Sequence, residues 1–328
     1  MAKIKDIAKK MNLSVSTVYK AFNGAADINE ETRKNIYKTA QEMGYIPVGS
    51  HLKAEMKRVC VFLSHMERPH VTMFSYEIVL AFRREAMKYG YEVVIKELED
   101  EKSLHLNQIV RDNKFDGCMV VGINTENFYY KQLETVDFPC VLIDNYVDNP
   151  CISCLSADNF LGMMLIADLL LKAGHEKIGF INGEYDSITS KERLASFVGE
   201  LTRQNHHFDP SLVFNGDFSE QSGAEGAEEL LKKGVSAICC ASDSMAVGAI
   251  RRLGSLGVRV PEDVSITGFD DIQLADYIVP RLTTVHIDTN GMGARAFDCL
   301  LDIMEGGTGI KILEKPRLME RDSVASLM

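Results

Sequence analysis

From Val59 onward, uninterrupted apolar runs alternate with segments of helical spacing. The runs VCVFLS at 59–64, DGCMVVGI at 116–123 and AICCAS at 237–242 lack the polar and apolar alternation that one solvated face would impose. Strands that are apolar throughout are buried on both faces, and their alternation with helices is typical of parallel sheets covered by helices. The body of the chain is therefore predicted to be α/β, with two successive lobes of similar strand and helix order.

The N-terminal segment follows a different pattern, that of three short helices. Apolar residues recur at helical spacing from Ile4 to Met11, and Asn12 then tolerates the left-handed backbone of a tight turn. Ser14 is a favourable N-cap for a second helix, and a third helix starts near Glu30. Two short helices joined by a tight turn, with a third as support, predict a helix-turn-helix. A three-helix cap that binds no nucleic acid has the same pattern, so this alternative stays open here.

The charge is distributed unevenly between the two parts. The chain has a formal net charge of -11, yet residues 1–58 contain 11 Lys and Arg against 6 Asp and Glu. The remainder contains 25 basic and 41 acidic residues. A basic segment on an acidic body indicates that this segment alone meets a polyanion such as DNA.

Several other classes of protein are disfavoured. No apolar run approaches the roughly 18 residues of a membrane span, and no apolar stretch follows the basic N-terminus as in a signal peptide, so we expect a cytoplasmic protein without a membrane partner. Sequences of the GxGxxG, GxxxxGK[ST], GxSxG and HExxH types are absent, which argues against an enzyme and a cofactor. Cys151 and Cys154 form a single CxxC, and His206-His207 has no further ligands nearby, so no metal site is expected.

The N-terminal segment closely resembles one known family. IKDIAKKMNLSVSTVYKAFNG at 4–24 and INEETRKNIYKTAQEMGYIP at 28–47 are similar to the start of the LacI/GalR (lactose-repressor) family of bacterial transcription regulators. Tyr19-Lys20 replaces the usual Ser-Arg pair of that family, and Asn12 replaces the usual Gly. The resemblance implies a helix-turn-helix DNA-binding domain at 1–46, a hinge at 47–58 and an effector-binding and dimerisation core at 59–328.

The exposed side of the second helix carries residue types that contact DNA. Ser, Thr, Tyr and Lys side chains form hydrogen bonds to phosphates and base edges. On the resemblance, Ser14 caps this helix and Lys20 reads a base. Leu52 in the hinge is the nearest bulky apolar residue to the leucine that the family wedges into the minor groove. The DNA-binding candidates are Ser14, Val15, Ser16, Thr17, Tyr19, Lys20, Asn23 and Leu52.

The body is similar to the same family almost to its end. DNFLGMMLIADLLLKAGHEKIGFING at 158–183 and RLASFVGEL at 193–201 follow the family pattern, as does the stretch 241–288. The resemblance implies the fold of periplasmic sugar-binding proteins, in which two lobes enclose a ligand cleft. Lobe 1 is expected at about 59–157 and 288–317, and lobe 2 at about 158–287 and 318–328.

The resemblance also implies six ligand-binding residues. Asp144 and Asp243 follow strands, where a carboxylate accepts hydrogen bonds from sugar hydroxyls, and Arg193 stands at the position of the family's cleft arginine. Phe218 lies where the family often has an aromatic residue that stacks on a ring. The polar residues could instead be helix caps or ion-pair partners. The ligand-binding candidates are Phe74, Asp144, Thr189, Arg193, Phe218 and Asp243.

Together these observations predict a sequence-specific, DNA-binding transcriptional regulator. We expect a homodimer that represses carbohydrate-utilisation genes and whose operator affinity is controlled by a small effector, a carbohydrate, in the cleft of the core. No covalent chemistry is required. A cytoplasmic sugar-binding protein and an α/β sugar-metabolising enzyme are the alternatives, and both leave the basic head without a role.

Overall fold

The computed structural model divides the chain into two units. They span Met1–Met56 and Lys57–Met328, and we call them the head and the core. The described residues are 3–22, 25, 27–43, 45, 57–64, 69–98 and 105–328. Most of the predicted hinge therefore lies outside the described residues.

The head is a bundle of three helices, as predicted. They are α1 (Ile4–Lys10), α2 (Val15–Phe22) and α3 (Glu30–Glu42). Asn12 has a φ of 54°, the left-handed conformation that reverses the chain between α1 and α2. Each helix contributes a fully buried apolar residue, namely Ile7, Val18 and Ile36. Phe22 packs edge-on against Tyr37 with ring centroids 4.9 Å apart. Burial of one apolar stripe per helix holds this small unit together.

Lobe 1 of the core is built on six parallel strands in the order β11-β5-β4-β3-β1-β2. Its elements are β1 (Arg58–Leu63), α4 (Pro69–Lys88), β2 (Glu92–Glu97), α5 (Leu106–Asp112), β3 (Gly117–Val121), α6 (Tyr130–Leu133), β4 (Cys140–Ile143), β5 (Ile152–Ala157), α11 (Thr289–Met304) and β11 (Lys311–Glu314). Every residue of β3, β4 and β5 is buried. Apolar clusters on the two faces of the sheet account for the continuous apolar runs.

Lobe 2 has four parallel strands in the order β7-β6-β8-β9, and β10 and β12 form a separate antiparallel pair. Its elements are α7 (Asn159–Lys172), β6 (Ile178–Asn182), α8 (Ile188–Arg203), β7 (Val213–Asn215), α9 (Glu220–Lys232), β8 (Ala237–Cys240), α10 (Asp243–Ser255), β9 (Ser265–Thr267), β10 (Thr284–His286) and β12 (Arg317–Met319). The predicted fold class, a helix-turn-helix head with a two-lobed parallel α/β core, is confirmed.

The chain passes between the lobes three times, after β5, between β10 and α11, and between β11 and β12. Strands β5, β11 and β12 were not predicted. The β5 sequence ISCLSA contains Ser153 and Ser156, both buried, which breaks the apolar run that marks the other central strands. Their hydroxyls have partners, because Ser153 accepts from the Ile310 amide at 3.2 Å and Ser156 donates to Asp144 at 2.9 Å.

No described helix is both long and apolar enough to cross a membrane.

Candidate functional site

One side of helix α2 packs against the apolar interior of the head, and its other side is exposed to solvent. Its buried residues lie at i, i+3 and i+4 and pack against the other two helices. On the outer side, Val15 and Tyr19 are 43% and 60% exposed, and Ser16 and Lys20 are exposed as well. An apolar contact, two hydroxyls and one ammonium thus share a helical surface that fits the types of contact made in the major groove.

Ser14 caps α2 as predicted. Its hydroxyl oxygen accepts from the Thr17 amide at 2.9 Å and lies 2.7 Å from the Thr17 hydroxyl. The Lys20 ammonium donates to the Asp27 carboxylate at 2.6 Å. Contacts of these residues with DNA stay predictions. Two further candidates, Asn23 and Leu52, lie outside the described residues.

A cavity of about 150 Å³ lies between the two lobes of the core. Its wall is formed by residues that follow β3 and β4 in lobe 1, and β6, β8 and β9 in lobe 2. In open parallel sheets this edge, beyond the carboxyl ends of the strands, is the usual ligand site. The volume holds on the order of ten water-sized positions, which suits one small polar molecule. The wall includes five of the six ligand-binding candidates, namely Phe74, Asp144, Thr189, Arg193 and Phe218.

Arg193, on the first turns of α8, is fixed by partners within the core. Its Nε donates to Asn159 Oδ1 at 2.9 Å, and its two terminal nitrogens donate to the Ala241 carbonyl at 2.5 Å and to Asp270 Oδ1 at 3.1 Å. The guanidinium also stacks on the Phe269 ring, 3.8 Å from its centroid. Only 4% of the residue is exposed. Arg193 is therefore a rigidly held positive charge in the wall rather than a freely available fork of donors.

Two carboxyl groups in the wall have pKa values that are raised from the ordinary aspartate value. Burial raises the pKa of Asp144, against the opposing effect of the Ser156 hydrogen bond. Burial also raises the pKa of Asp270 to about 6, although Arg193 opposes the rise. Both residues have positive φ, 57° and 110°, so their backbone directs the side chains away from the regular strand positions. The carboxyl oxygens offer hydrogen-bond acceptors from opposite lobes.

Aromatic rings complete the wall. Phe218 has a φ of 67° and is half-buried, and Phe74 reaches the cavity from α4. Gly183 makes room for the Phe218 ring, because a Cβ at Gly183 would lie 2.0 Å from Phe218 Cζ. Thr189 lies in the first turn of α8, which Ser187 caps by accepting from the Ser190 amide at 3.4 Å. Apolar rings beside convergent polar groups are typical of sites for small polar ligands.

Comparison with known proteins agrees with this geometry. Residues 3–48 match the model of bacterial regulatory proteins of the lacI family, and residues 167–324 match a periplasmic binding protein-like domain. The HTH-type transcriptional repressor PurR of Aliivibrio salmonicida (strain LFI1238) is 30% identical over 336 residues, which cover 100% of both chains. The chain belongs to the lacI family of bacterial regulatory proteins. It is a DNA-binding transcriptional regulator with a ligand-binding core.

Solved structures of lacI-family regulators share the whole architecture. A complex of the transcriptional regulator CelR with cellobiose is 26% identical, with a TM-score of 0.74 over 98% of this chain and 100% of that one. The lac repressor dimer bound to operator and the anti-inducer ONPF is 25% identical, with a TM-score of 0.75 over 99% of each chain. The resemblance seen in the head and body sequences is thereby confirmed.

The expectation that Asp243 faces the cavity of this lacI-family protein is wrong. Its carboxylate is fully buried and accepts from the Thr284 hydroxyl at 2.5 Å and from the Ile272 amide at 2.9 Å. A Cβ on Gly268 would lie 2.1 Å from Asp243 Oδ1, so the side chain points beneath the loop after β9. Burial, followed by the nearby charge of Asp270, raises the pKa of Asp243 well above its usual range. Asp243 supports the loop that carries Asp270.

Asp270, like Glu184, is a carboxylic wall residue that the sequence patterns did not predict. A signal for Asp270 was present, because GFDD at 268–271 lies within the stretch 241–288 that follows the family pattern. Its neighbour Asp271 accepts from Arg321 at 2.7 Å and lies 2.9 Å from His286 Nδ1. These contacts hold Asp271 against β10 and the segment after β12. Two adjacent aspartates thus have different roles, and only their loop geometry distinguishes them.

The CxxC pair, Cys151 and Cys154, is not part of a metal site among the described residues. Cys154 is buried in β5 with its Sγ 3.8 Å from the Val147 carbonyl, and Cys151 is a free, partly exposed thiol. Among the residues that the structure describes, no group of three or more His, Cys, Asp or Glu side chains is arranged to hold a metal ion.

Proposed function

We propose that this lacI-family regulator represses carbohydrate-utilisation genes and that a small neutral carbohydrate in the interlobe cavity controls its affinity for operator DNA. The observation that carries the proposal is the charge of the cavity wall. Asp144, Glu184 and Asp270 contribute carboxyl groups, and among the described wall residues Arg193 is the one cationic side chain. That guanidinium already has three protein partners. The wall favours a ligand that donates hydrogen bonds and disfavours an anion.

Neutral sugars fit this chemistry. Their hydroxyl groups donate to carboxylates, and their apolar faces pack on aromatic rings such as Phe74 and Phe218. Sugar phosphates and uronic acids would bring a negative charge next to Asp144 and Asp270. The solved complex of the related regulator CelR with cellobiose also supports a carbohydrate.

The head supplies the DNA-binding function in this proposal. The outer side of α2 presents Ser16, Tyr19 and Lys20 to the operator, with Val15 as an apolar contact for a thymine methyl group. A ligand that prefers one arrangement of the lobes shifts the population of DNA-competent molecules, and no covalent step is needed. We therefore infer that the protein is not an enzyme and that it acts in the cytoplasm, where bacterial DNA is located. A transport protein or a metabolic enzyme would have no use for this head.

We further infer that the functional unit is a homodimer formed by the cores. Tyr76, Leu80 and Met87 lie on one side of α4 and are 59%, 36% and 60% exposed. In lobe 2, Tyr277 and Val279 are 73% and 91% exposed. Exposed apolar stripes of this kind mark protein interfaces. The lac repressor, a related regulator, has been solved as a dimer on its operator.

A thermal-shift screen of the full chain tests the effector class. We expect at least one neutral mono- or disaccharide to raise the melting temperature, because a specific ligand stabilises the folded state by mass action. The corresponding sugar phosphate and uronic acid should give no shift. Purine bases serve as the comparison class. A shift with a purine and with none of the sugars would replace the carbohydrate by a nucleobase as effector. A shift with the anionic sugars alone would contradict the charge argument.

A further inference from the structure

Lys20, the one lysine of α2, pairs with an acidic residue that follows the helix in the chain. Lys20 Nζ lies 2.6 Å from Asp27 Oδ2, and the two side chains are 49% and 56% exposed. Asp27 belongs to the connection between α2 and α3, so the chain brings a carboxylate back to the surface that presents Ser16 and Tyr19. The hydrogen bond from Lys20 lowers the pKa of Asp27, as expected for a carboxylate paired with an ammonium.

A carboxylate at this position opposes DNA binding in two ways. It cancels the charge of Lys20, and it repels the phosphates that the head approaches. DNA affinity depends strongly on the number of phosphates that Lys and Arg side chains neutralise. The pair is therefore unfavourable for binding to DNA in general, in a segment that is otherwise basic.

We propose that Asp27 holds Lys20 in the DNA-free protein and thereby lowers the affinity of the head for DNA that offers only phosphates. The inference rests on the proposed role of α2 as the DNA-reading helix. An exposed ion pair changes an equilibrium by roughly two- to fivefold, and the repulsion between Asp27 and phosphates adds to this effect. At an operator, a guanine can offer its O6 and N7 atoms to the Lys20 ammonium as new acceptors. These hydrogen bonds compensate for the broken ion pair with Asp27. DNA that offers only phosphates does not provide them. Asp27 thus increases discrimination between operator and bulk DNA.

The head provides a matched control for the change in charge. Lys10 and Glu42 form another exposed pair, 3.4 Å apart and 51% and 53% exposed, between α1 and α3. Glu42→Gln and Asp27→Asn remove one negative charge each and break one exposed ion pair each. They differ in whether the released lysine lies on α2.

The test measures binding of the full chain to a fluorescently labelled duplex of random sequence, by anisotropy over about 50 to 200 mM salt. We expect Asp27→Asn to tighten binding about three- to tenfold at the lowest salt and to steepen the salt dependence by up to about 0.9 in log–log slope, the value for one further phosphate. Glu42→Gln should change affinity by less than about twofold with no change in slope. Lys20→Ala should weaken binding, and in that background Asp27→Asn should have a smaller effect than in wild type, because only the repulsion between Asp27 and phosphates is then removed.

The outcomes separate this inference from the role of α2. Equal effects of Asp27→Asn and Glu42→Gln overturn the inference while leaving Lys20 as a DNA contact. An undiminished effect of Asp27→Asn in the Lys20→Ala background also overturns it, because Asp27 then acts through general charge. Unchanged binding by Lys20→Ala in both the wild-type and the Asp27→Asn backgrounds overturns the proposed DNA contact of Lys20, and the inference with it.

Discussion

Single residues in the interlobe cavity combine burial with charge. Asp270 is 12% exposed at its side chain and pairs with Arg193, whose own side chain is 5% exposed. The pKa of Asp270 is nevertheless raised to about 6, because burial outweighs the attraction of the guanidinium. A carboxyl group of this kind changes its charge near neutral pH, at the position where it would meet a ligand.

The raised pKa of Asp270 predicts a pH-dependent contribution to stability. An unfolded aspartate titrates near 4, so the folded protein holds this proton more tightly. The contribution of Asp270 to the free energy of unfolding is therefore largest below about pH 4 and falls as the pH rises through about 6. The full change is on the order of 2 to 3 kcal/mol. Urea unfolding of wild type and Asp270→Asn from pH 4 to 7 should show their difference declining by this amount.

A control acid checks that the effect belongs to the buried site. Glu225 is exposed on α9 and accepts from Gln221 at 2.7 Å. Glu225→Gln, which removes one exposed carboxyl group instead, is the control variant for the loss of a negative charge. Parallel profiles for wild type and Asp270→Asn would instead contradict the raised pKa of Asp270.

Individual elements place demands on glycine that differ from one position to the next. Gly183 follows β6 and leaves room for the Phe218 ring, whereas Gly199 is exposed within α8, and a Cβ there would meet nothing within 4 Å. The same substitution at the two positions therefore tests packing against helix propensity.

We predict opposite signs for these two changes. Gly183→Ala should lower the free energy of unfolding by about 1 to 3 kcal/mol, because the new methyl group displaces the Phe218 ring. Gly199→Ala should raise it by about 0.5 to 1 kcal/mol, since alanine loses less backbone entropy in a helix. Urea unfolding followed by circular dichroism measures both. Stabilisation by Gly183→Ala would mean that Phe218 does not occupy the space above β6.

At the scale of the whole molecule, the charge distribution and the exposed apolar surface correspond to different partners. The basic segment meets DNA, and the acidic remainder reduces non-specific binding of the core to DNA. We propose that the exposed apolar residues on α4 contact a second copy of the chain. Pairing two heads gives a two-fold site for DNA, which one short helix reads too weakly alone.

The dimer can be tested by sedimentation of the full chain at micromolar concentration. Wild type should sediment as a dimer, and Leu80→Glu should shift it to a monomer and weaken DNA binding, because a charge buried in an apolar interface is strongly unfavourable. Phe160→Glu on α7 serves as control, since Phe160 is also exposed, at 54%, but lies on another helix. A dimer that persists in Leu80→Glu would exclude this side of α4 as the interface. Dissociation by Phe160→Glu alone would move the interface to α7.

Local sequence patterns were sufficient for most elements of both units. The three helices of the head follow from apolar spacing and from signals such as Asn12 and Ser14, because helix periodicity and capping act within a few residues. The two α/β lobes follow from the apolar runs, since strands of buried parallel sheets show little alternation. Strand β5 was not predicted, because buried serines with distant partners interrupt its apolar run.

The sequence by itself determined which strand ends carry polar residues, but the tertiary structure decided which of them face the cavity. Asp243 and Asp270 both follow strands of lobe 2, yet Asp243 is held beneath a loop by Thr284 and Ile272, while Asp270 faces the cavity and pairs with Arg193. The direction of each side chain depends on partners 29 to 77 residues away in the chain. Hydrogen bonds over such separations are set by the packed fold, so no local pattern contains them.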